Sequence, residues 1–339
     1  EAFENPAEFL ENYGVPRNHA RNGSVKLVRA GEGHAKIHAI ESIFLEPEVH
    51  SLMEISGFTV TPKESRRLIL LVNKKKEDLK GTHVLEYIRW GESNGIHKGS
   101  TCASRVTPDR EWYDLTGHRR APVMWPKERQ YRHIAPGNDN RLIANCRMYE
   151  VYPPTEFDDS NLWGGILNST WVLLSSFQFG RPVGNEGNWS TMVSDANMML
   201  VPDPRKTDLS LTRRVARAFE DLKGRKALAF LSEKRLRTMA YMAAGKAREL
   251  VGLSDVTELD MPDRRELDDA VLEMMGVDTA HRRKKLIDEL YAYLQEFFEA
   301  VRLKEEKAIL NKNKSKRRSR TKPSEIAAEI HKVIIENEP

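Results

Sequence analysis

From residue 25 to about residue 151 the apolar positions fall mostly in short runs or in alternation, and from residue 159 onward they recur every three to four residues. The first pattern is that of strands, whose side chains alternate between two faces; the second is that of helices. SVKLVRA places Val25 and Leu27 on one face and is broken by Gly31 and Gly33, while Phe44 and Leu45 open an element that should stop where Pro47 begins. RRLILLV (66–72) is a continuous apolar run of the kind buried on both faces of a sheet. Gly81 to Trp90 reads as a helix with Val84, Leu85 and Ile88 inward and Gly91 as its stop. RLIANCRMYEV (141–151) alternates as one strand, with Leu142, Ala144, Cys146 and Met148 facing the same way.

At Asp159 the period changes. Leu162, Trp163, Ile166, Leu167, Leu174 and Phe177 predict one buried helix over 159–179, capped by Asp159 or Ser160 and released at Gly180. GRPVGNEGNW follows, in which Gly180, Gly184 and Gly187 either bring backbone close to a phosphate or form an ordinary long turn. An apolar stretch around Met198 to Val201, expected as a strand, ends at Pro202. Further helices are expected over 213–222, 228–250, 263–275 with Gly276 as exit, and 282–310, with a last short one over 324–336. The stripe Leu286, Leu290, Leu294, Phe297 and Val301 suits core packing, or else a partner helix. The fold class is therefore α+β: a mixed strand and loop module with a buried helix, followed by a helical C-terminal part. The expected divisions are 1–205, 206–310 and a basic linker with a short helix over 311–339.

Composition narrows the function classes. With 339 residues, 40% of them apolar, the chain can bury a sizeable core. No apolar run approaches a membrane span and the N-terminus lacks a basic start followed by an apolar segment, so a cytoplasmic protein is expected. Cys102 and Cys146 form no CxxC, which argues against a zinc knuckle or a disulfide framework. His34 and His38 would share a helix face, yet no third ligand follows at a suitable spacing, so no metal centre is expected. A chain that begins with Glu rather than Met is expected to be a piece of a longer polypeptide.

Charge is more informative. The whole chain is +4, but Lys98 to Arg147 holds ten Lys or Arg against five Asp or Glu, interleaved with Trp112, Tyr113 and Trp125. Basic residues among aromatics suit a polyanion with stackable bases, whereas the competing reading makes the rings core and the arginines a solvated face. Arg302 to Lys322 holds ten basic and two acidic residues, and suits a linker that grips phosphates without regard to sequence.

The order YIRWGE (87–92), TCASR (101–105), EWYDL (111–115), VMWPK (123–127), ILNST (166–170) and FGRPVGNEG (179–187) resembles the target-recognition region of adenine-specific DNA methyltransferases of restriction-modification systems. The resemblance covers roughly residues 37 to 204, and the helices over 263–312 are similar to the helical tail of such enzymes. It implies a module that binds double-stranded DNA, with a catalytic domain in the same polypeptide or in a partner. Methyl transfer in that family requires a Gly-containing loop for S-adenosylmethionine and an (N/D)PP(Y/F) tetrapeptide for the extruded base. The only Pro-Pro here follows Tyr152 and precedes Thr155, and no GxGxxG occurs. No catalytic residue and no cofactor are therefore expected in this chain; S-adenosylmethionine belongs to the parent enzyme.

Within that reading the DNA-contacting candidates are Ser104, Arg105, Trp112, Tyr113, Arg119, Arg120, Lys127, Arg129 and Arg132, with Arg181 and Asn185 on the Gly-rich loop. Such side chains fix register through phosphates and read base edges in the major groove. The alternative is a noncatalytic interaction protein whose helical half docks on a partner and whose basic tail binds nucleic acid nonspecifically.

Overall fold

The computed structural model describes residues 2–3, 12–16, 18–19, 22–31, 36–183 and 188–316, together with 324, 327–328 and 330–332. Gly33, His34, Gly184, Asn185, Gly187, the end of the basic run beyond Lys316 and most of the expected last helix lie outside the described residues.

Strands β1 (Ala2–Phe3), β2 (Val25–Arg29) and β3 (Ile37–Glu41) form an antiparallel sheet in which Val25 and Leu27 are buried as their alternation requires. His38 sits in β3 against Tyr87 and Trp90, ring centroids 4.9 and 4.6 Å away, and burial together with Lys36 lowers its pKa to about 4. Strand β4 (Leu45–Val49) runs through Pro47 instead of stopping there. Its neighbour β8 (Ile143–Ala144) pairs only Glu48 and Val49, so at Pro47 that side of β4 is an edge and no ladder donor is lost. On the other side β5 (Arg67–Leu70) is an edge strand, half-buried throughout, and not the doubly covered strand its apolar run suggested.

Helix α1 (His83–Ser93) starts at Thr82, whose hydroxyl accepts from Leu85 N at 3.3 Å, and its first amides also donate to the Glu41 carboxylate at 2.7 and 3.0 Å. Gly91 does not stop it. The helix continues to Asn94 and Gly95, and Gly91 is there because a Cβ would lie 2.9 Å from the Trp112 ring. A short helix α2 (Ser100–Ala103) precedes β6 (Val123–Pro126) and β7 (Glu128–Arg129). The expected single strand over 141–151 is two, β8 and β9 (Met148–Val151), in different sheets. Asn145 makes the break: its amide donates to Val49 O at 2.8 Å, its side chain to Glu48 at 3.0 Å, and Cys146 is left exposed.

The expected helix over 159–179 is likewise two, α3 (Ser160–Asn168) and α4 (Thr170–Phe179). Ser169 is extended and caps α4, accepting from Val172 N at 3.3 Å. The Asn168 amide exchanges bonds with the backbone of Ala135, and Thr170 donates twice to Asp268, each at 2.7 Å. Buried partners for this polar trio replace the helical hydrogen bonds given up at the break. Strands β10 (Arg181–Val183) and β11 (Asn188–Ser190) then pair, and β11 joins β7. Met198 to Val201 is irregular rather than a strand; it follows the short helix α5 (Val193–Ala196).

The C-terminal helices are α6 (Leu209–Lys223), α7 (Glu233–Ala243), α8 (Pro262–Met274) and α9 (Ala280–Lys316). Helix α7 is shorter than the expected 228–250, because Ala227 and Phe230 pair their amides with Ser56 O and Tyr131 O before Ser232 caps it, and Gly245 ends it at φ 70°. Helix α9 buries Arg283, Ile287, Tyr291, Leu294, Phe298 and Arg302, a stripe beside the expected one that shares only Leu294. The largest core cluster joins Val49, Phe58, Trp125 and Ile134 to Leu162 and Ile166 of α3, Val215 and Phe219 of α6, and Leu267 of α8. Residues on both sides of position 205 thus share one core.

Candidate nucleic-acid interface

The candidate residues fall into three places. Ser104 and Arg105 follow α2; Ser104 is exposed, while Arg105 lines a small cavity with Trp112 and Tyr113 beside α1. Tyr113 is buried and donates to Lys74 O at 2.9 Å, while Trp112 donates to Glu92 at 3.1 Å and lies edge-on to Tyr113. This ring pair belongs to the core under α1, so the expectation that Trp112 and Tyr113 stack on bases is corrected to a packing role for Tyr113 and most of Trp112.

Arg119 and Arg120 occupy the loop before β6. Arg120 pairs with Glu46 at 2.8 Å and donates to Arg141 O at 3.2 Å, whereas Arg119 is exposed and lies 4.6 Å over the Tyr152 ring. Lys127, Arg129 and Arg181 come together through the sheet β10-β11-β7. Arg129 is 4% exposed: it sits 5.1 Å from the Trp125 ring and 5.3 Å from the Phe177 ring and donates to Thr191 at 3.3 Å and to Ser176. Burial without a carboxylate lowers its pKa to about 9. A guanidinium so enclosed is out of reach of a duplex, which corrects its expected role. Arg132 is half-buried and donates to Ile55 O at 3.2 Å; Arg181 is exposed and holds Asp195 at 2.8 Å. Gly180, expected to admit a phosphate, instead packs against Trp189, where a Cβ would collide with the ring. Asn185 lies outside the described residues.

Ion pairs take up part of the chain's positive charge. In the helical half Arg214 meets Glu266, Asp269 and Glu273, Arg225 meets Glu258 and Asp263, Arg235 meets Glu299 and Glu306, and Arg302 meets Glu305. These cations are neutralised within the fold. By contrast Lys98, Arg105, Arg119, Lys127 and Arg147 have no carboxylate partner among the described residues. Exposed cations without a carboxylate partner also occur in the helical half, at Arg213, Arg217, Arg248 and Arg282, so what sets 98–147 apart is its positive excess among aromatic residues, which is available to an outside anion.

Beside Arg119 lies a cavity of about 800 Å³ that sequence reasoning missed. It is walled by Trp125, Tyr149, Glu150, Tyr152 and Trp163, and closed on another side by the 193–205 segment. Glu150 Oε2 pairs with His118 Nε2 and lies 3.0 Å from the Tyr152 hydroxyl, which also meets Arg119 O at 2.9 Å. Burial and Glu150 raise the Tyr152 pKa to about 12, so this phenol is neutral and donates. Glu150 Oε1 and Trp125 Nε1 are buried and have no partner. The available signal is the aromatic density over 149–163, with Glu150 and Tyr152 two apart at a strand end; the motif reading touches Tyr152 only as part of a mismatched tetrapeptide.

No group of three or more metal-ligating side chains occurs among the described residues, and no helix among them is long and apolar enough to cross a membrane. No protein-family model and no curated protein matches the chain.

Proposed function

We propose that this chain is a duplex-DNA recognition module whose adenine-methylating catalytic domain, with its S-adenosylmethionine, lies outside it. The observation that carries this reading is a group of cations within one aromatic-rich stretch: Lys98, Arg105, Arg119, Lys127 and Arg147 have no carboxylate partner among the described residues. Of the six segments, YIRWGE and EWYDL share one core cluster, and VMWPK and ILNST share another. Unpaired surface cations on a rigid scaffold are what register on a phosphate backbone requires.

Duplex titration at two salt concentrations tests the reading. Affinity should fall steeply between about 50 and 200 mM salt, because each neutralised phosphate releases counterions. Absence of binding at the lower salt would sink it. Calorimetry of the same chain with S-adenosylmethionine should give no saturable heat. A second reading, an interaction protein, is favoured by the exposed apolar residues Met192, Val193, Met198 and Leu200, which form a surface for another protein; the missing catalytic domain is the partner this reading shares with the first.

A further inference from the structure

We propose that the cavity beside Arg119 binds a nucleobase carrying an exocyclic amine. Its volume, about 800 Å³, is that of a small-molecule site, and Tyr149, Tyr152 and Trp163 supply the flat apolar walls on which a base stacks. The polar groups are more selective. The Glu150 side chain is 9% exposed and held in place through Oε2 by His118 and Tyr152, so Oε1 is a fixed acceptor with nothing to accept from. Native folds rarely leave a buried carboxylate oxygen unpaired, and a ligand that donates to it removes the deficit. Trp125, 3% exposed and also among the residues lining the cavity, has an equally unsatisfied N–H. An acceptor and a donor lining one cavity suit a base that carries both an amine and an acceptor nitrogen, as adenine, cytosine and guanine do. Thymine has no amine.

A quaternary ammonium fits less well. It has no N–H for Oε1, and the wall already contains His118 and Arg205, the latter paired with Asp203 at 2.9 Å. The base can arrive free or extruded from a duplex; the second route rests on the DNA reading above, with Arg119 stacked on Tyr152 as the exposed cation for a flanking phosphate.

The experiment titrates the full chain with deoxyadenosine, deoxycytidine, deoxyguanosine, thymidine and tetramethylammonium, following tryptophan fluorescence and heat. Wild type is compared with Glu150→Gln and with Val193→Trp, the latter filling the cavity from an exposed rim position. At least one amine-bearing nucleoside should bind about tenfold or more tightly than thymidine. Glu150→Gln should weaken it by about tenfold or more, and Val193→Trp should abolish it. Should Glu150→Gln fail to fold, the Val193 variant still decides. No saturable nucleoside binding, binding that Val193→Trp leaves intact, or binding of tetramethylammonium alone would overturn the proposal.

A duplex with 2-aminopurine scanned along it separates the sources. Brightening at one position on binding shows an extruded base, whereas nucleoside binding with a dark duplex supports the cavity as a site for free nucleosides. A chain that retains duplex at low salt but takes up no nucleoside and brightens no 2-aminopurine refutes the cavity assignment and leaves the DNA reading standing. Nucleoside uptake without duplex retention does the reverse.

Discussion

Arg119 and Arg129 are ten residues apart in a stretch whose composition treats them alike, yet their surroundings give them opposite tasks. Arg129 is stacked between Trp125 and Phe177 with hydrogen bonds only to hydroxyls, so its stem and guanidinium act as core volume. Arg129→Ala should lower stability by about 2 to 4 kcal/mol through the cavity it leaves, and Arg129→Met by less, with duplex affinity per folded molecule unchanged. Arg119→Ala should do the converse: stability within about 0.5 kcal/mol of wild type, and duplex affinity reduced. Denaturant titration and duplex titration of the variants check both halves; a stable Arg129→Ala chain with weakened duplex binding would return Arg129 to the interface. Nothing in the local sequence distinguishes the two, because the difference lies in Ser176, Phe177 and Thr191, some fifty to sixty positions away. The positive excess was legible at this scale; its division into enclosed and free cations was not.

Between elements, close approach and buried charge decide more than periodicity. Helices α3 and α6 meet at Gly164 and Gly165, where a Cβ on Gly164 would lie inside contact distance of the fully buried Phe219 ring and one on Gly165 would lie 2.7 Å from Val215. Alanine favours a helix over glycine by about 1 kcal/mol, so the sign of Gly164→Ala depends on whether Phe219 can yield. Packed on all sides, it has no room to move. Gly164→Ala should therefore destabilise by about 1 to 3 kcal/mol, measured by denaturant titration; a stabilised variant would show that α6 moves aside freely.

At the start of α8, Arg264 is fully buried against Glu258 at 2.9 Å and donates to Asn168 O, while Arg225 clamps Glu258 and Asp263. Burial raises the Glu258 pKa, but Arg264, Arg225 and the Leu228 amide outweigh it and hold the carboxyl below its ordinary 4.5. Its contribution to stability is thus complete above pH 4.5 and is lost as pH falls through the lower folded value. Asp268 acts in the opposite sense: burial raises its pKa above 3.8, so acid relieves a cost there. Glu258→Gln should start about 3 to 5 kcal/mol less stable at neutral pH, since Arg264 keeps an unpaired buried charge, and its stability should fall less below pH 4.5 than that of the wild type. Unfolding between pH 7 and 3 gives the answer; equal slopes in both chains would remove Glu258 from the account.

Helix positions over 83–93, 209–223 and 262–274 were readable to within about four residues from the spacing of apolar residues such as Val84, Leu85 and Ile88, and the Gly276 exit is local chemistry. The break at Ser169 was not, since apolar residues keep helical spacing across it and the compensating partners, Ala135 and Asp268, are remote in sequence.

Over the whole molecule, the α+β class and the helical C-terminal part follow from the pattern of apolar positions, but the sharing of one core across residue 205 depends on long-range packing that no local pattern encodes. The same packing assigns the basic run at the end of α9. Arg302 is enclosed and paired with Glu305, and Tyr131 donates to Glu305 at 2.7 Å, so the run's first cation is structural. Leu303, Lys304, Lys307 and Leu310 are exposed, and Glu305 is the last buried position of α9 among the side chains described. Truncation after Leu310 therefore removes Lys312, Lys314, Lys316 and the cations up to Lys322 without touching a buried side chain among the described residues. Stability should be unchanged, while affinity for every duplex should fall by a similar factor and the slope of log affinity against log salt should shrink by about 0.9 for each phosphate that the shortened chain no longer neutralises. A preferred sequence, obtained by selection from a randomised duplex pool with the full chain, provides the comparison. The ratio of preferred to random affinity should survive truncation and shrink in Arg119→Ala, because an exposed guanidinium on a strand-flanking loop can discriminate a base edge by about 1 to 3 kcal/mol, whereas a basic run with few apolar anchors contributes to every sequence alike. If truncation erases the preference and Arg119→Ala keeps it, recognition resides in the tail, and the charge left unpaired over 98–147 is only a solvated face.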